Sequence, residues 1–495
     1  MSCLIGAPCS GSGKTLVSLC LAAATRARGA RLQPFKVGPD YLDPQLLSQV
    51  AGLSCRNLDP LLCGEDWVRR SYRWHGGQAD RVLVEGVMGL FDGRGPSSEG
   101  SSAAVAQLLD LPVVLVVEAS RQAGSLAALV RGFRDHGPPR VRMAGVVLNR
   151  VNSKRHKALL AEALADLGMP LLGALPPDPC LDLPSRHLGL LPPNDLPDFN
   201  GRLAHWAALA ERHLDMERFW ALMEPPQPGN EDPILHSLEQ VAPLERLGSV
   251  PLGHRAKVAI AADAAFHFRY AETAEYLSAV GLDSIPWSPL ADEPLPRACA
   301  AVMLPGGYPE LHGAQLGQAR RSLCQLAAAV SKGMPLLAEC GGLMVLGEAL
   351  QDSAGTWQPM ANILPFKAQR GELSLGYRQA TVSSNGLVLR RGETLTGHEF
   401  HRWQLLPKTG VTVSEAPVAG EPELWQVEGW GSPRRPEGWT SRNVHASWLH
   451  IHWAGCPAIP WRLAALTVPS VPSKKTAGFS FPRNLALPPP ANAGG

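Results

Sequence analysis

The sequence of 495 residues has little of several features that define other classes of protein. Its longest apolar run, residues 111–117, is too short to cross a bilayer, and no basic segment precedes an apolar stretch at the N-terminus. Its 46 Lys and Arg residues barely exceed its 44 Asp and Glu residues, so it has no basic surplus for nucleic acid. Its ten cysteines form neither a disulfide framework nor a CxxC zinc pattern. We therefore expect a cytoplasmic protein without a signal peptide and without nucleic-acid or membrane partners.

The chain does contain two successive alternations of strand-like and helix-like segments. Apolar strands without polar alternation are typical of a parallel sheet that helices cover on both faces. The sequence therefore predicts an α/β protein with two doubly wound domains. In the first half the strand-like runs are 2–7, 81–87, 113–119 and 143–151, and the helix-like stretches are 14–28, 122–134 and 154–167. In the second half the strand-like runs are 257–263, 300–304, 335–339 and 444–453.

The composition changes between and after these alternations. The chain has 45 prolines and 49 glycines, and they are dense in two segments that show no apolar periodicity. We therefore expect the C-terminal segment to be disordered. The predicted division is a first domain at 1–200, a helix and Pro-rich linker at 201–254, a second domain at 255–456 and a Pro-rich tail at 457–495.

A glycine-rich segment follows the first predicted strand and opens a helix. Residues 7–15 read APCSGSGKT, in the strand–loop–helix context of a phosphate-binding loop. Lys14 would reach the β- and γ-phosphates, and the Thr15 hydroxyl would ligate Mg²⁺. Pro8 stands where the usual pattern has its first glycine, so we expect a remodelled loop, and the alternative is a turn that ends in Lys-Thr by chance. The candidate nucleotide-binding residues are Gly11, Ser12, Gly13, Lys14 and Thr15.

Two further segments carry acidic side chains near this loop. Residues 81–93 (RVLVEGVMGLFDG) form a strand that ends in Glu85, where a nucleotide-binding sheet places a second metal ligand. The alternative is a carboxylate that only caps a loop. Residues 34–44 (PFKVGPDYLDP) form a turn-rich loop, and the residues alone leave a binding role and a solvated surface equally open. The charged and aromatic residues of that loop are Lys36, Asp40, Tyr41 and Asp43, and the candidates for substrate binding are Lys36, Asp40 and Tyr41.

A second constellation lies in the other half of the chain. Residues 335–342 (PLLAECGG) predict a strand–turn–helix elbow that presents Cys340 as a nucleophile. His450 ends the strand-like ASWLH, and a cysteine nucleophile needs such a base. Each piece alone is more often structural, but the order of turn, nucleophile and histidine favours catalysis. The candidate oxyanion hole consists of the amides of Gly306, Gly307 and Gly341.

These phrases, in this order, resemble the cobyrinic acid a,c-diamide synthase family over about residues 2–455. The resemblance implies a synthetase domain similar to dethiobiotin synthetase, followed by a class I-like glutamine amidotransferase domain. It implies a carbon–nitrogen ligase that amidates the a and c carboxylates of cobyrinic acid, with ATP, Mg²⁺ and L-glutamine. The phrases are SGSGKT (10–15), QPFKVGPDYLDP (33–44), RNLDP (56–60), VEGVMGLFDG (84–93), GVVLNRV (145–151), RHLGL (186–190), LPGGYPE (304–310), AECGG (338–342), LGYR (375–378) and GHEFH (397–401).

The resemblance also implies residue roles, and two departures affect them. Trp448 stands where the family has a tyrosine, which concerns packing more than chemistry. The usual H-x-E ending of class I triads is His450-Ile451-His452, so the third carboxylate is missing and His452 is a second candidate base. The implied roles are nucleophile for Cys340 and base for His450, substrate binding for Lys36, Asp40 and Tyr41, and metal binding for Thr15, Asp40 and Glu85.

Several alternatives stay open at this point. A nickel-sirohydrochlorin or hydrogenobyrinic acid a,c-diamide synthase shares the phrases and differs mainly in the tetrapyrrole. A P-loop switch ATPase with an inactive amidotransferase domain belongs to a different class, and the presence of Cys340 and His450 speaks against it. Cobyric acid synthase is disfavoured because VGPDYLDP, rather than Gln-Asn-Met, follows Lys36. A homodimer is retained as a candidate assembly.

Overall fold

The computed structural model describes residues 2–179, 185–186, 189–190, 198–241, 255–407 and 423–467. In the first half, seven parallel strands lie in the order β3-β2-β4-β1-β5-β6-β7. They are β1 (Cys3–Gly6), β2 (Leu32–Val37), β3 (Arg56–Leu58), β4 (Arg81–Glu85), β5 (Val113–Glu118), β6 (Met143–Asn149) and β7 (Leu171–Ala174). The helices are α1 (Lys14–Ala27), α2 (Leu42–Ala51), α3 (Pro60–Cys63), α4 (Glu65–Gly76), α5 (Ser102–Leu108), α6 (Ser125–Asp135) and α7 (Lys154–Ala165).

The described part of the segment between the two large sheets contains two short strands and three helices. The strands are β8 (Ser185–Arg186) and β9 (Gly189–Leu190), and the helices are α8 (Phe199–His213), α9 (Met216–Ala221) and α10 (Pro233–Glu239). Helix α8 packs on α1 and inserts Trp206 into the core of the first half. The predicted linker therefore begins with a helix of the first core, and residues 242–254 lie outside the described residues.

The second large sheet has a parallel core extended by antiparallel strands. Its order is β11-β10-β12-β13-β20-β19-β18-β16-β14-β15, with β17 paired to β16. Its strands are β10 (Ala256–Ala261), β11 (Leu282–Trp287), β12 (Cys299–Leu304), β13 (Leu336–Glu339), β14 (Ala349–Gln351), β15 (Trp357–Pro359), β16 (Phe366–Val382), β17 (Thr394–Pro407), β18 (Glu423–Gly429), β19 (Ser432–Thr440) and β20 (Val444–Ser447). Its helices are α11 (Glu272–Ala279), α12 (Gly313–Gln318), α13 (Arg320–Ser331), α14 (Gly341–Met344) and α15 (Ala458–Thr467), with 3-10 turns at Pro309–His312 and Trp453–Gly455.

The predicted α/β class with two domains is confirmed, and three segments differ from the sequence expectations. The second sheet is parallel only in its first part. Residues 34–44, expected as one turn-rich loop, instead belong largely to β2 and α2. The predicted strand 444–453 ends at Ser447, and the backbone of His450 then pairs with His398 of β17. Residues 458–467, expected within the disordered tail, form α15, which buries Ile459 and Leu463. Pro460 fits there because it lies in the first turn, where its missing N–H costs no helical hydrogen bond. Residues 468–495 lie outside the described residues.

The two halves meet in a shared interface. One hydrophobic cluster joins Tyr41, Leu42 and Trp67 of the first half to side chains of α11 and β10. Arg56 of β3 forms ion pairs with Glu275, at 2.7 Å, and with Glu272, at 3.4 Å, both on α11. Because buried charges are costly without partners, this pairing fixes how the halves dock.

Candidate active site

The phosphate loop reaches α1 through a glycine that no other residue could replace without strain. Gly13 has a φ of +106°, and a Cβ atom there would collide with the Asn149 side chain. Asn149 Nδ2 in turn donates to the carbonyl of Ser12 at 3.1 Å, which braces the loop against β6. Lys14 is buried, and its Nζ donates to the carbonyl of Met88 at 2.5 Å. The five predicted nucleotide-binding residues thus follow one another from the loop into the first turn of α1.

Lys36 is the centre of a charged cluster beside this loop. It is a register partner of Glu85 on the adjacent parallel strands β2 and β4, so the sheet itself brings the two together. Lys36 Nζ donates to Glu85 Oε1 at 2.6 Å and to the carboxylate of Asp43, and lies 3.6 Å from Asp40 Oδ2. Thr15 Oγ1 donates to Glu85 Oε1 at 2.9 Å. The predicted residues Lys36, Asp40, Thr15 and Glu85 therefore lie in one cluster. Asp43 belongs to the same cluster.

Burial and charge shift the pKa values of this cluster in different directions. Burial alone would lower the pKa of Lys36, but the carboxylates of Asp43, Glu85 and Asp40 outweigh it and raise the pKa well above the ordinary value. Burial, together with the charge of Asp43, raises the pKa of Asp40 to about 7. Burial also raises the pKa of Glu85, an effect that the Lys36 charge only partly offsets. One ammonium group thus faces three carboxyl groups.

The oxygen atoms of this cluster are of the type that Mg²⁺ prefers. Carboxylate and hydroxyl oxygens suit that ion, and Glu85 Oε2 is a buried oxygen without a hydrogen-bond partner among the described residues. The described part of the chain contains no group of three or more His, Cys, Asp or Glu side chains already arranged as a metal site. Lys36 instead supplies the positive charge at this position. The residue types therefore fit Mg²⁺, and the metal assignment stays a proposal.

Cys340 lies at the sharp turn that the sequence predicts between β13 and α14. Its φ of +47° and ψ of −104° are unusual for a non-glycine residue, and such strain costs about 1–3 kcal/mol. The Cys340 N–H donates to the carbonyl of Ser447 at 2.7 Å, and the thiol contacts the carbonyl of Phe400 at 3.8 Å. Burial, and next the charge of Glu310, raise the pKa of the Cys340 thiol. The thiol is therefore held at a strained turn that does not by itself favour the thiolate.

The three predicted oxyanion glycines surround this turn. A Cβ atom at Gly341 would lie 3.0 Å from the backbone N of Gly307, so these two residues are in contact. A Cβ atom at Gly306 would collide with Cε1 of His450. The structure thus brings Gly306, Gly307 and Gly341 together with Cys340 and His450 at the ends of β12, β13 and β20.

His450 and His452 have different surroundings. The backbone of His450 pairs with that of His398, and its Nδ1 lies 3.8 Å from Glu339 Oε2. His452 points to the interface with the first half, where its Nε2 lies 3.5 Å from Glu272 Oε2. Its Nδ1 accepts the N–H of Ala454 at 3.2 Å and so caps the following 3-10 turn. These contacts favour His450 as the base, and they offer Glu339 as the carboxylate that the sequence lacks at the usual position.

Several site residues were not found from the sequence. Tyr41 was noted, but its contact with His450, at 5.1 Å between ring centroids, joins segments some 400 positions apart and leaves no local signal. In the GHEFH phrase, Arg378 and Arg435 donate to the carboxylate of Glu399, each at 2.7 Å, so this acid is engaged in ion pairs. The acidic residues that the sequence reasoning missed are Glu272, Glu310 and Glu339, of which Glu310 and Glu339 lie inside phrases quoted above.

Comparisons with known proteins define the class and then the family. Residues 4–191 match the model of the CobQ/CobB/MinD/ParA nucleotide binding domain, and residues 257–457 match the CobB/CobQ-like glutamine amidotransferase domain. The protein is therefore a nucleotide-binding domain joined to a glutamine amidotransferase domain. No helix among the described residues is long and apolar enough to span a membrane.

Full-length relatives narrow this class to one family. The chain is 42% identical to a cobyrinate a,c-diamide synthase of Gloeobacter violaceus, over 92% of this chain and 94% of that protein. It is 40% identical to one of Synechococcus sp., over 92% and 96%. It is also 40% identical to a hydrogenobyrinate a,c-diamide synthase of Streptomyces coelicolor, over 93% and 96%. The chain belongs to the cobyrinate a,c-diamide synthase family, which confirms the resemblance stated above.

Proposed function

We propose that the protein uses ATP and glutamine to amidate the a and c side-chain carboxylates of cobyrinic acid, in cobalamin biosynthesis. The observation that carries the proposal is the position of residues 36–43, which run from the end of β2 to the start of α2. Lys36, Asp40 and Asp43 lie beside Thr15 and Glu85, while Tyr41 of the same segment contacts His450 of the other half. A nitrogen released at Cys340 would therefore be near the segment that would hold the carboxylate.

The first half would activate the carboxylate. A carboxylate is a poor electrophile, because its oxygen cannot leave at neutral pH. Transfer of the γ-phosphoryl group of ATP gives an acyl phosphate and ADP, and attack by ammonia then releases phosphate. Lys14 and the loop amides would stabilise the charge on the transferring phosphoryl oxygens. Lys36 would hold the substrate carboxylate near the loop, since its ammonium group is kept charged by its neighbours.

Thr15, Glu85 and the aspartates of the loop would hold Mg²⁺ with the nucleotide. When bound, the ion supplies positive charge at the phosphate oxygens. Glu85 Oε2 offers it a buried oxygen that no described residue uses. Thr15 and Glu85 are already in contact through their oxygen atoms, which keeps these two donors together before the nucleotide arrives.

The second half would supply ammonia. The Cys340 sulfur attacks the side-chain amide of glutamine, His450 takes the thiol proton and passes it to the leaving nitrogen, and the products are ammonia and a glutamyl thioester. The amides of Gly306, Gly307 and Gly341 would stabilise the oxyanion of the tetrahedral intermediate. Water then hydrolyses the thioester to glutamate. Ammonia must travel unprotonated, because ammonium has no lone pair with which to attack.

Hydrogenobyrinic acid is the second candidate substrate. Relatives at 40–43% identity carry that name, and they match this chain about as well as those named for cobyrinate. Incubation with ATP, Mg²⁺ and glutamine plus cobyrinic acid, hydrogenobyrinic acid or nickel sirohydrochlorin, followed by product mass, decides among the three. A gain of two amide groups on cobyrinic acid is the expected result. ATP hydrolysis without glutamine consumption on any of them would instead indicate a switch ATPase. The cytoplasmic location and the homodimer stay predictions.

A further inference from the structure

Glu310 is a buried carboxyl group beside the nucleophile that the chemistry above does not use. It is 8% exposed and lies in the 3-10 turn Pro309–His312, where its own carbonyl accepts the N–H of Ser353 at 3.0 Å. Its Oε2 has no hydrogen-bond partner and its carboxylate has no ion pair among the residues that the structure describes. Burial raises its pKa to about 7. Burying a carboxyl group without a partner is unfavourable, so we expect Glu310 to bind a ligand group.

The turn that carries Glu310 packs against the nucleophile elbow. A Cβ atom at Gly341 would lie 2.9 Å from Cδ of Pro309, so the residue next to Cys340 touches the residue next to Glu310. Among the neighbouring charges, the carboxylate of Glu310 has the largest effect on the Cys340 thiol and raises its pKa. The carboxyl group therefore belongs to the space around the thiol where glutamine must bind.

This position works against catalysis as long as Glu310 has no partner. A negative carboxylate disfavours the thiolate that attacks the amide. The arrangement is favourable only if a positive charge joins Glu310 when the substrate binds. Glutamine carries one such group, its α-ammonium, and no described Lys, Arg or His side chain occupies that role.

We propose that Glu310 binds the α-ammonium group of glutamine and is thereby a specificity-determining residue for the amide donor. The proposal rests on the proposed function. Substrate binding neutralises the charge beside Cys340, so the nucleophile is favoured only once a complete amino acid is in place. Amides without an α-ammonium leave Glu310 unneutralised and are poor substrates. Free glutamine is thus distinguished from other primary amides by one electrostatic contact.

The test compares glutamine with glutaramate, which keeps the amide and chain length but lacks the α-amino group. In Glu310→Gln we expect kcat/KM for glutamine to fall about 100-fold, because a charged partner is lost from a desolvated contact. Hydrolysis of glutaramate should stay the same or rise, because glutaramate has no α-ammonium group and the variant has no negative charge beside the thiol, so the preference for glutamine collapses. Glu348→Gln, which removes another carboxylate just beyond α14, is the matched control and should keep the preference.

Covalent labelling of Cys340, measured by mass spectrometry, shows whether the turn between β13 and α14 is intact in the variant. 6-Diazo-5-oxo-L-norleucine carries the α-ammonium group and should label Glu310→Gln much more slowly than the parent. Iodoacetamide lacks it and should label both at similar rates. Equal losses for glutamine and glutaramate, or equal slowing by both reagents, would overturn the proposal. Both experiments omit the tetrapyrrole and therefore test only the glutamine site. Amidation of the tetrapyrrole with ammonia tests the proposed function separately, so a failure of one proposal can be told from a failure of the other.

Discussion

The ring of Tyr41 lies 5.1 Å from the imidazole of His450, measured between centroids, although the two belong to different halves of the molecule. Tyr41 also stacks on Phe268 at 5.2 Å and contacts Tyr270 at 4.7 Å. Tyr41 therefore links the segment that contains Asp40 and Asp43 to the half that carries Cys340 and His450. In the proposed mechanism, ammonia would pass this aromatic contact on its way from the thiol to the activated carboxylate.

The first prediction concerns the aromatic ring of Tyr41, which contacts His450. Tyr41→Ala should release more glutamate per amide formed than the parent, because ammonia that escapes into water is protonated and lost. Tyr41→Phe keeps the ring and should keep the parent ratio. Glutamate and diamide are measured in the same reaction. A ratio near one in Tyr41→Ala, with normal turnover, would mean that the ring does not confine ammonia.

The second prediction tests the phosphate loop. Lys14→Ala should reduce amidation about 100-fold or more with glutamine and with ammonium chloride alike, since no acyl phosphate forms. Glutamine hydrolysis should survive, because it takes place in the other half. Lys154→Ala, at the exposed start of α7, is the control. A normal diamide yield from Lys14→Ala would remove the assignment of this loop to ATP.

The third prediction concerns Glu85. Glu85→Gln should raise the Mg²⁺ concentration needed for half-maximal rate by about tenfold, because a charged oxygen is lost next to Thr15. Glu118→Gln changes a carboxylate at the end of β5, where Glu118 accepts the N–H of Ser120 at 3.0 Å, and should leave the metal requirement alone. Titration of the rate with Mg²⁺ measures both. An unchanged requirement in Glu85→Gln would reassign that residue to holding Lys36.

The fourth prediction separates the two halves of the reaction. Cys340→Ala should lose glutamine-dependent amidation but keep activity with ammonium chloride at alkaline pH, where free ammonia is supplied directly. His450→Ala should behave in the same way, because the thiol loses its base. His452→Ala should keep glutamine use, since His452 lies against Glu272 and Ala454.

Two results of these assays would contradict the proposed roles. Loss of glutamine use in His452→Ala but not in His450→Ala would exchange the two roles. Loss of the ammonia reaction in a folded Cys340→Ala protein would contradict the two-site mechanism itself. Cys324→Ala, which removes an exposed thiol, controls for general effects of cysteine loss.

Local pattern determined how much of the fold could be predicted. The strands β1, β4, β5 and β6 and the helix α1 followed from apolar runs and from the Gly-Lys-Thr start, because each signal lies within its own segment. The elbow at Cys340 was predicted because small residues must surround a strained turn. The end of β20 at Ser447 was missed, since the next residues are equally apolar. Helix α15 was missed because its stability comes from packing on the second half rather than from its own composition.

The site was predictable in its reactive residues and not in their partners. Lys14, Glu85, Cys340 and His450 stand in phrases with a recognisable spacing. The partners that shape their chemistry are brought in by the fold: Glu339 next to His450, and Tyr41 across the interface. A one-dimensional pattern contains no record of such contacts, because they join strands and helices distant in the chain.

The ion pairs of Arg56 with Glu272 and Glu275 limit how modular this molecule can be. A glutaminase half grafted from another protein would bring a different surface to β3, and Arg56 would then be a buried charge with nothing opposite it. A chimaera with one half from a relative would keep this contact only if it had an arginine at the position of Arg56 and acids at the positions of Glu272 and Glu275. The two halves are therefore coupled in stability through this contact, although each has a sheet of its own.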